Sequence, residues 1–571
     1  VHFNFRKAAV VALAIGLVAT LSVSGCAPKK PATKPTGGSS GATNEPKKDK
    51  GGTIKFYIGE PTAIDPYNAQ ESEGTQVTQA VFDSLTVIDP KDGKVLPAAA
   101  DSWSSDPAAK VWTFKLKKDA KFSDGTPVTA KDFVYAWNRI ATSASNNATD
   151  PAQIAYHLGP VVGFDDAQAK GTPMSGIKAV DDSTFEVTLQ YSFADWPYVC
   201  AHPALAPVPQ KLVEGGVDYN GQKVAYNQMP IGNGPFKLSE PWAHDQYIKI
   251  VANSDYYGTK PMVDGVDFMI FKDEQTAYRE FQAGTLDFTQ IPDGQIEAAK
   301  TQYGVADDGY TVQPSKGVLL GAESAIYFFS LDNVKKPMDN ANLRKAISLA
   351  INRQAIIDTV YEGTRVPATG MVPPGLPGYK EGLFPDAKYD VEAAKKALAD
   401  AGYPGGKGLP AIKINYNAGA GHAKVVELVQ SDLKAIGINT TTETLEGPQH
   451  WDMLRTTKYD MGRDGWIADY PIADNFTYPF FDSKSADNHS HYSNPQVDAD
   501  ILKARATIDD AKRAEMYTKI QETIGATNPT VPIVYYAHRR VGSNRLNDFV
   551  YDNQGLAHFE NAWITGGAAA K

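Results

Sequence analysis

"VWTFKLKKDAKFSDGTPVTAKDFVYAWNRI" (Val111–Ile140) sets two kinds of element side by side. Trp112, Phe114 and Leu116 alternate with polar neighbours, the period of a half-buried strand. "FSDGTPVT" supplies a turn, and a helix is expected from "TAKDFVYAWNRI". Thr129 can cap it, Asp132 three residues on complements its positive end, and Phe133, Trp137 and Ile140 fall on one face. Strand, turn and capped helix explain themselves by folding, so this stretch is assigned no ligand role.

Outward from there the same reading continues. "GGTIKFYIG" alternates through Ile54, Phe56 and Ile58, and "TFEVTLQ" (Thr184–Gln190) is another strand. Between them, Asp89-Pro90 and Asp92-Gly93 mark turns. Further on, "NLRKAISLAINRQAIIDTVYEG" carries Leu343, Ile347, Ala350 and Ile351 at helical spacing. "YDVEAAKKALADAGY" reads as a helix capped by Asp390 and stopped by Gly402. "AIKINYNAG", "HAKVVELVQSDLKAIG" and "INTTTETL" form a strand–helix–strand unit, which predicts parallel pairing through a right-handed crossover. The fold class is α/β.

The N-terminus is of another kind. Arg6 and Lys7 precede an uncharged apolar run from Ala8 to Leu21, shorter than the roughly 20 residues that span a bilayer, so 1–25 is expected to be a signal peptide. Val23-Ser24-Gly25-Cys26 resembles a lipobox, which implies cleavage before Cys26 and lipidation of its thiol. Ala27–Lys50 lacks aromatics, Val, Ile and Leu and cannot fold, so 26–50 is expected to be a tether reaching roughly 25–30 Å. Its lysines can graze an anionic membrane surface. Removing 1–25 moves the net charge from −10 to about −12, and an acidic body without a basic patch argues against nucleic acid. Cys200 is the only other cysteine, so no intramolecular disulfide is expected in the body. A body of this length exceeds one hydrophobic core, and two or three lobes are expected.

Enzymatic signatures are missing: there is no G-x-x-x-x-G-K-[ST], G-x-S-x-G, H-E-x-x-H or C-x-x-C. "NAGAGH" (Asn417–His422) lacks the spacing of a nucleotide cradle. His489 and His491 in "NHSHY" have no third metal ligand nearby and are read as a solvated loop. No cofactor, no metal and no catalytic activity are expected.

Together, Val111–Ile140, "IGNGPFKLSEPW" (Ile231–Trp242), "NLRKAISLAINRQAII", "DVEAAKKALADAGY" and "GWIADYPIADNF" resemble, in order, the family 5 extracellular solute-binding proteins of ABC importers, and among them the oligopeptide-binding proteins. The likeness runs from about Gly51 to Tyr536. It implies a type II periplasmic-binding-protein fold, two lobes with a hinge plus an inserted third domain. Lobe I would be 51–87 with 201–325 and 541–571, the inserted domain 88–200, and lobe II 326–540. It implies extracytoplasmic capture of oligopeptides by a monomer held at the membrane through its lipid anchor, working with ABC permease and ATPase subunits.

The resemblance also assigns a site. In "DGWIADYPIADNF" (Asp464–Phe476), Trp466, Asp469 and Tyr470 would line the cleft, with Asp469 pairing with the peptide α-ammonium. A desolvated ammonium needs an opposite charge, and strand-like pairing with peptide backbone is indifferent to side chains. The alternative is that Asp469 caps a turn and Trp466 is core. Arg463 and His422 match positions that meet the peptide carboxylate, the alternatives being a surface pair of Arg463 with Asp460 or Asp464 and a plain helix-terminal histidine. Glu73, in an edge formed by Asn68–Gln76, is a possible second acid. Enteric relatives carry a Cys after the cleft tryptophan, where this chain has Ile467. Rival readings keep the fold and change the ligand to a metal chelate, haem or oligosaccharide, or make the chain a peptide sensor or chaperone without transport.

Overall fold

Alternation in β1 (Thr53–Ile58) buries Ile54, Phe56 and Ile58 while Lys55 stays exposed, so one face of the strand enters a core. The computed structural model describes residues 48–69, 71–145, 152–418, 421–445, 447–456, 459–485 and 487–566. The expected signal peptide and lipidation site Cys26 lie outside these residues, as does most of the expected tether. Among the described residues no helix is long and apolar enough to cross a membrane.

After β1 come α1 (Ser72–Val81) and a four-stranded antiparallel sheet of β2 (Ala100–Ser105), β3 (Val111–Leu116), β4 (Ile177–Asp181) and β5 (Thr184–Thr188), in the order β2-β3-β5-β4. The opening stretch builds its centre. Trp112, Phe114 and Leu116 of β3 are buried, and α2 (Ala130–Ala141) contributes buried Phe133, Trp137 and Ile140. The Thr129 backbone N–H and hydroxyl both donate to Asp132, at 2.7 and 2.8 Å, which holds the helix start as the capping spacing requires. Trp137 meets Phe185 edge-on at 5.0 Å, locking helix to sheet.

The chain then returns to β1's sheet through β6 (Phe236–Leu238), β7 (Tyr247–Ala252), β8 (Gly265–Ile270), β9 (Phe288–Gln290) and β10 (Val318–Leu319). A second α/β body follows: β11 (Ala322–Leu331), α3 (Ala341–Ala350), α4 (Arg353–Val360), β12 (Val366–Pro367), α5 (Val391–Asp400), β13 (Ile412–Asn417), α6 (His422–Ala435), β14 (Thr440–Leu445), α7 (Gly447–Leu454), β15 (Met461–Ile467), α8 (Asp474–Phe481) and β16 (Thr530–Ala537). Its sheet runs β12-β16-β11-β15-β13-β14, and β13 and β14 pair in parallel as the strand–helix–strand pattern predicts. Finally β17 (Arg540–Gly542) rejoins the first sheet, ordered β6-β7-β8-β1-β9-β17-β10.

Two differences from the sequence reading have local causes. The apolar run after Asn342 is two helices, not one, because Asn352 caps α4 by accepting from the Ala355 N–H at 3.1 Å. The expected edge at Asn68–Gln76 is helical from Ser72, since Glu71 accepts from the Gly74 N–H at 3.2 Å and from the Thr62 N–H at 2.8 Å.

Among the described residues two crossings join the first and second sheets, one between β10 and β11 and one between β16 and β17. They run side by side: the His538 N–H donates to the Gly321 carbonyl at 2.9 Å, and Ala322 pairs with Ala537. The His538 ring bridges Glu323 at 2.9 Å and the Asp552 carbonyl at 2.8 Å. Burial alone would raise the Glu323 carboxyl, but His538 and the guanidiniums of Arg365 and Arg540 pull it down to about 2.

Candidate functional site

β15 carries the site, and its pairing explains why. All seven of its residues pair with β11, whereas β13 pairs only with Met461 and Gly462. Among the described residues, Arg463–Ile467 therefore have a strand on one side and an open edge on the other. His450 takes the first group of that edge, its Nε2 lying 2.7 Å from the Arg463 carbonyl oxygen.

At the far end of the edge stands Asp469. Its Oδ1 accepts from the Tyr156 hydroxyl at 2.7 Å and its Oδ2 from Asn475 Nδ2 at 3.2 Å. Both donors are neutral, and among the described residues no cation lies within ion-pair distance. Asn475 also accepts from Trp466 Nε1 at 2.8 Å and from the Asp469 N–H at 3.1 Å, so one amide ties both residues together. Trp466 is half-buried and meets Phe480 edge-on at 5.3 Å, which leaves it partly a wall and partly core. Asp469 does not cap α8; the residue before that helix is Ala473.

Tyr470 packs on the core that includes the four-stranded sheet, near the His157 ring at 6.3 Å. The His157 and His202 rings lie 4.4 Å apart, tilted by 34°, and burial pushes each imidazole down to about 3. Both are neutral at ordinary pH and offer Asp469 no compensating charge. Burial, with the Asp469 charge beside it, drives the Tyr156 phenol far above its usual range, so it stays a donor. A cavity of about 30 Å³ lies against Asp469, Tyr470, His202 and His558, room for about one water.

The other end of the edge is cationic. Arg463 is 8% exposed, and its guanidinium lies over the Tyr327 ring at 4.9 Å and the Trp451 ring at 5.8 Å. It donates weakly to Asn417 Oδ1 and the Tyr536 hydroxyl, each at 3.3 Å, while its Nε is buried without a partner. Neither alternative surface pair forms. Asp464 turns to Ser330 and His489, both at 2.8 Å, and Asp460 lies 2.8 Å from Lys335. His422 opens α6 with buried Nδ1 unpartnered; burial, then Arg463 and His450, lower it to about 4, so it is a neutral donor.

Glu73 stands apart, in the first turn of α1 beside Gly59. The solvated loop expected at His489 and His491 is incorrect: His489 is buried against Asp464, and His491 meets Asp332 at 3.1 Å. Each imidazole answers a different buried acid, which draws the loop inward. Tyr156, Asn475, Tyr536 and Arg365 were not singled out from sequence. Only Asn475 had a signal, lying within "GWIADYPIADNF". A separate cavity of about 970 Å³ is lined by Asp65, Arg139, Trp242 and His244, and its cation is already held by Asp65 at 2.7 and 2.9 Å.

The profile of the bacterial extracellular solute-binding proteins, family 5 Middle, matches residues 94–488. The oligopeptide-binding protein OppA of Bacillus subtilis is 30% identical over 541 residues, covering 92% of this chain and 96% of that one. The periplasmic OppA of Haemophilus influenzae is 32% identical over 498 residues, covering 84% and 87%. Its crystal structure in complex with the peptide RPPGFSPFR overlays with a TM-score of 0.65 at 29% identity, covering 91% of this chain and 100% of that one. The unliganded open form of the murein tripeptide-binding protein MppA overlays with 0.78 at 25% identity, covering 90% and 98%. With its two α/β lobes, paired crossings and additional sheet, the chain has the type II periplasmic-binding fold and belongs to the family 5 bacterial extracellular solute-binding proteins.

Proposed function

We propose that this protein is the solute-binding subunit of an ABC importer and captures extracellular oligopeptides between its lobes for delivery to a permease. The observation that carries the reading is the open edge of β15, bounded by an acid (Asp469) and a cation (Arg463) that, among the described residues, have no ion-pair partner. A zwitterionic peptide supplies what each end lacks and pairs its backbone with the edge between. From Arg463 to Ile467 the strand rises about 13 Å at roughly 3.3 Å per residue, the length of a short peptide. That relatives of this chain are oligopeptide-binding proteins supports the same class of ligand.

In this reading Trp466 and Tyr470 wall the N-terminal end, His422 donates to the carboxylate, and Glu73 offers an acid from lobe I. Lobe I is 51–87 with 201–325 and 541–571, the inserted domain 88–200, and lobe II 326–540. The two crossings at Gly321 and His538 form the hinge, and ligand contacts to both lobes favour closure. Lipidation at Cys26 and the 26–50 tether hold a monomeric receptor at the outer face of the membrane. ATP is hydrolysed by other subunits.

The test is calorimetric titration of the protein, unfolded and refolded to strip bound ligand, with tri- to pentapeptides and with their N-acetylated forms. Micromolar or tighter binding is expected, weakened at least tenfold by Asp469→Asn and by acetylation. Absence of heat from any peptide, with folding confirmed, would move the reading to another solute.

A further inference from the structure

Arg463 has a companion. Arg365 precedes β12, and its guanidinium lies over the Tyr536 ring at 4.9 Å and the Tyr361 ring at 5.4 Å. The hydroxyl of that same Tyr536 is 3.3 Å from Arg463 Nη2, so a single tyrosine separates two guanidiniums. Sheet register explains the grouping. Arg463 lies opposite Phe329 on β11, two residues from Tyr327, and Pro367 lies opposite Val534 on β16, two residues from Tyr536. All four side chains therefore share one face of the sheet.

Among the described residues neither guanidinium has an ion-pair partner, and the nearest carboxylate charges, Glu323 for Arg365 and Asp464 for Arg463, act only from farther off. Arg365 gives one bond to the Ala537 carbonyl, and its Nε, like that of Arg463, is buried without a partner. Tyr327, fully buried in the same group, also leaves its hydroxyl unpartnered. Among the described residues no carboxylate comes within 4 Å of either guanidinium. Glu323 acts on Arg365 only from farther off, its Oε1 engaged by His538 at 2.9 Å. Asp464 is turned to the opposite face by Ser330 and His489. Two cations, Arg463 buried and Arg365 half-buried, held by aromatic rings and neutral acceptors constitute a site for two negative charges.

We propose that this end of the cleft takes two carboxylates at once, and that the protein favours peptides whose C-terminal residue is Asp or Glu. The α-carboxylate meets Arg463, and the side-chain carboxylate reaches past Tyr536 to Arg365. Planar guanidiniums suit this because each can bond a carboxylate through two N–H groups. The inference rests on the peptide-binding reading above.

The experiment is calorimetry with Ala-Ala-Glu and Ala-Ala-Gln, which differ by one charge, on the refolded protein and on Arg365→Gln and Arg365→Lys. Ala-Ala-Glu is expected to bind at least tenfold more tightly than Ala-Ala-Gln. Arg365→Gln should cost Ala-Ala-Glu at least tenfold more than it costs Ala-Ala-Gln, and Arg365→Lys should retain part of the preference. Binding of Ala-Ala-Gln by each variant reports that it is folded. Equal affinity for the two peptides, or a preference that survives Arg365→Gln, overturns the two-carboxylate site and leaves peptide binding intact. Failure of both peptides to bind the unaltered protein overturns the peptide reading and this inference with it.

Discussion

Arg463→Met separates a binding cation from a structural one. Arg463 is 8% exposed, and its guanidinium is bonded at 3.3 Å to two neutral groups and unpartnered at Nε. Replacing an uncompensated buried charge with an apolar chain of similar volume is neutral or stabilising by about 1–4 kcal/mol. Loss of cation–π contact with Tyr327 and Trp451 offsets about 0.5–2 kcal/mol of that. Stability without ligand should therefore stay level or rise by up to about 2 kcal/mol. With peptide the sign reverses. Losing one partner of a desolvated pair costs about 3 kcal/mol, a little over a hundredfold in affinity. Peptide at a hundred times the dissociation constant stabilises the unaltered protein by about 2.7 kcal/mol, but the variant at that concentration by only about 0.3 kcal/mol. Urea unfolding with and without a free-acid tripeptide measures both numbers, and a C-terminally amidated peptide should stabilise the two proteins alike. If Arg463→Met loses more than about 2 kcal/mol without ligand, Arg463 is a structural residue and the reasoning from its missing partner is refuted.

Two further outcomes follow from other parts of the molecule. A Cβ on Gly321 would meet the Tyr310 ring at 2.4 Å, and Tyr310 bonds the Ala322 carbonyl at 2.6 Å. Gly321→Val should cost about 1–3 kcal/mol and weaken peptide binding, and unchanged unfolding midpoints would dismiss this packing role. Burial raises the Asp83 carboxyl to about 6 despite hydrogen bonds from Tyr257 and Tyr256. A native carboxyl that binds its proton more tightly than the unfolded one stabilises fully below the unfolded value near 3.8. That contribution is lost as pH rises through about 6. Asp83→Asn should remove a fall in stability on the order of 1–3 kcal/mol between pH 4 and 6, measured by urea unfolding across that range. An identical pH profile in the variant would show that Asp83 is ordinary.

Much of the architecture was legible because it rests on local rules. Alternation in Val111–Leu116, the Thr129–Asp132 spacing and the Asp390 cap each act within a few residues and appear as read. The strand–helix–strand unit at 412–445 likewise fixes parallel pairing by itself. The helix break at Asn352 was missed because apolar spacing continues across it while a polar side chain decides it.

What sequence alone determined is the order of elements, the α/β class and, through five ordered stretches, the family. It also marked Asp469, Trp466 and Arg463 as residues worth locating. Only the tertiary structure decided which charges go unanswered. Asp464 and Asp460 lie nearer to Arg463 along the chain, yet strand alternation turns Asp464 to the other face, toward Ser330 and His489, and Lys335 takes Asp460. Tyr156 reaches Asp469 across 313 positions, and Arg365 joins Arg463 only because β12 and β15 lie on either side of β16 and β11 in one sheet. Charge compensation is a matter of distance and burial in space, and a linear chain records neither.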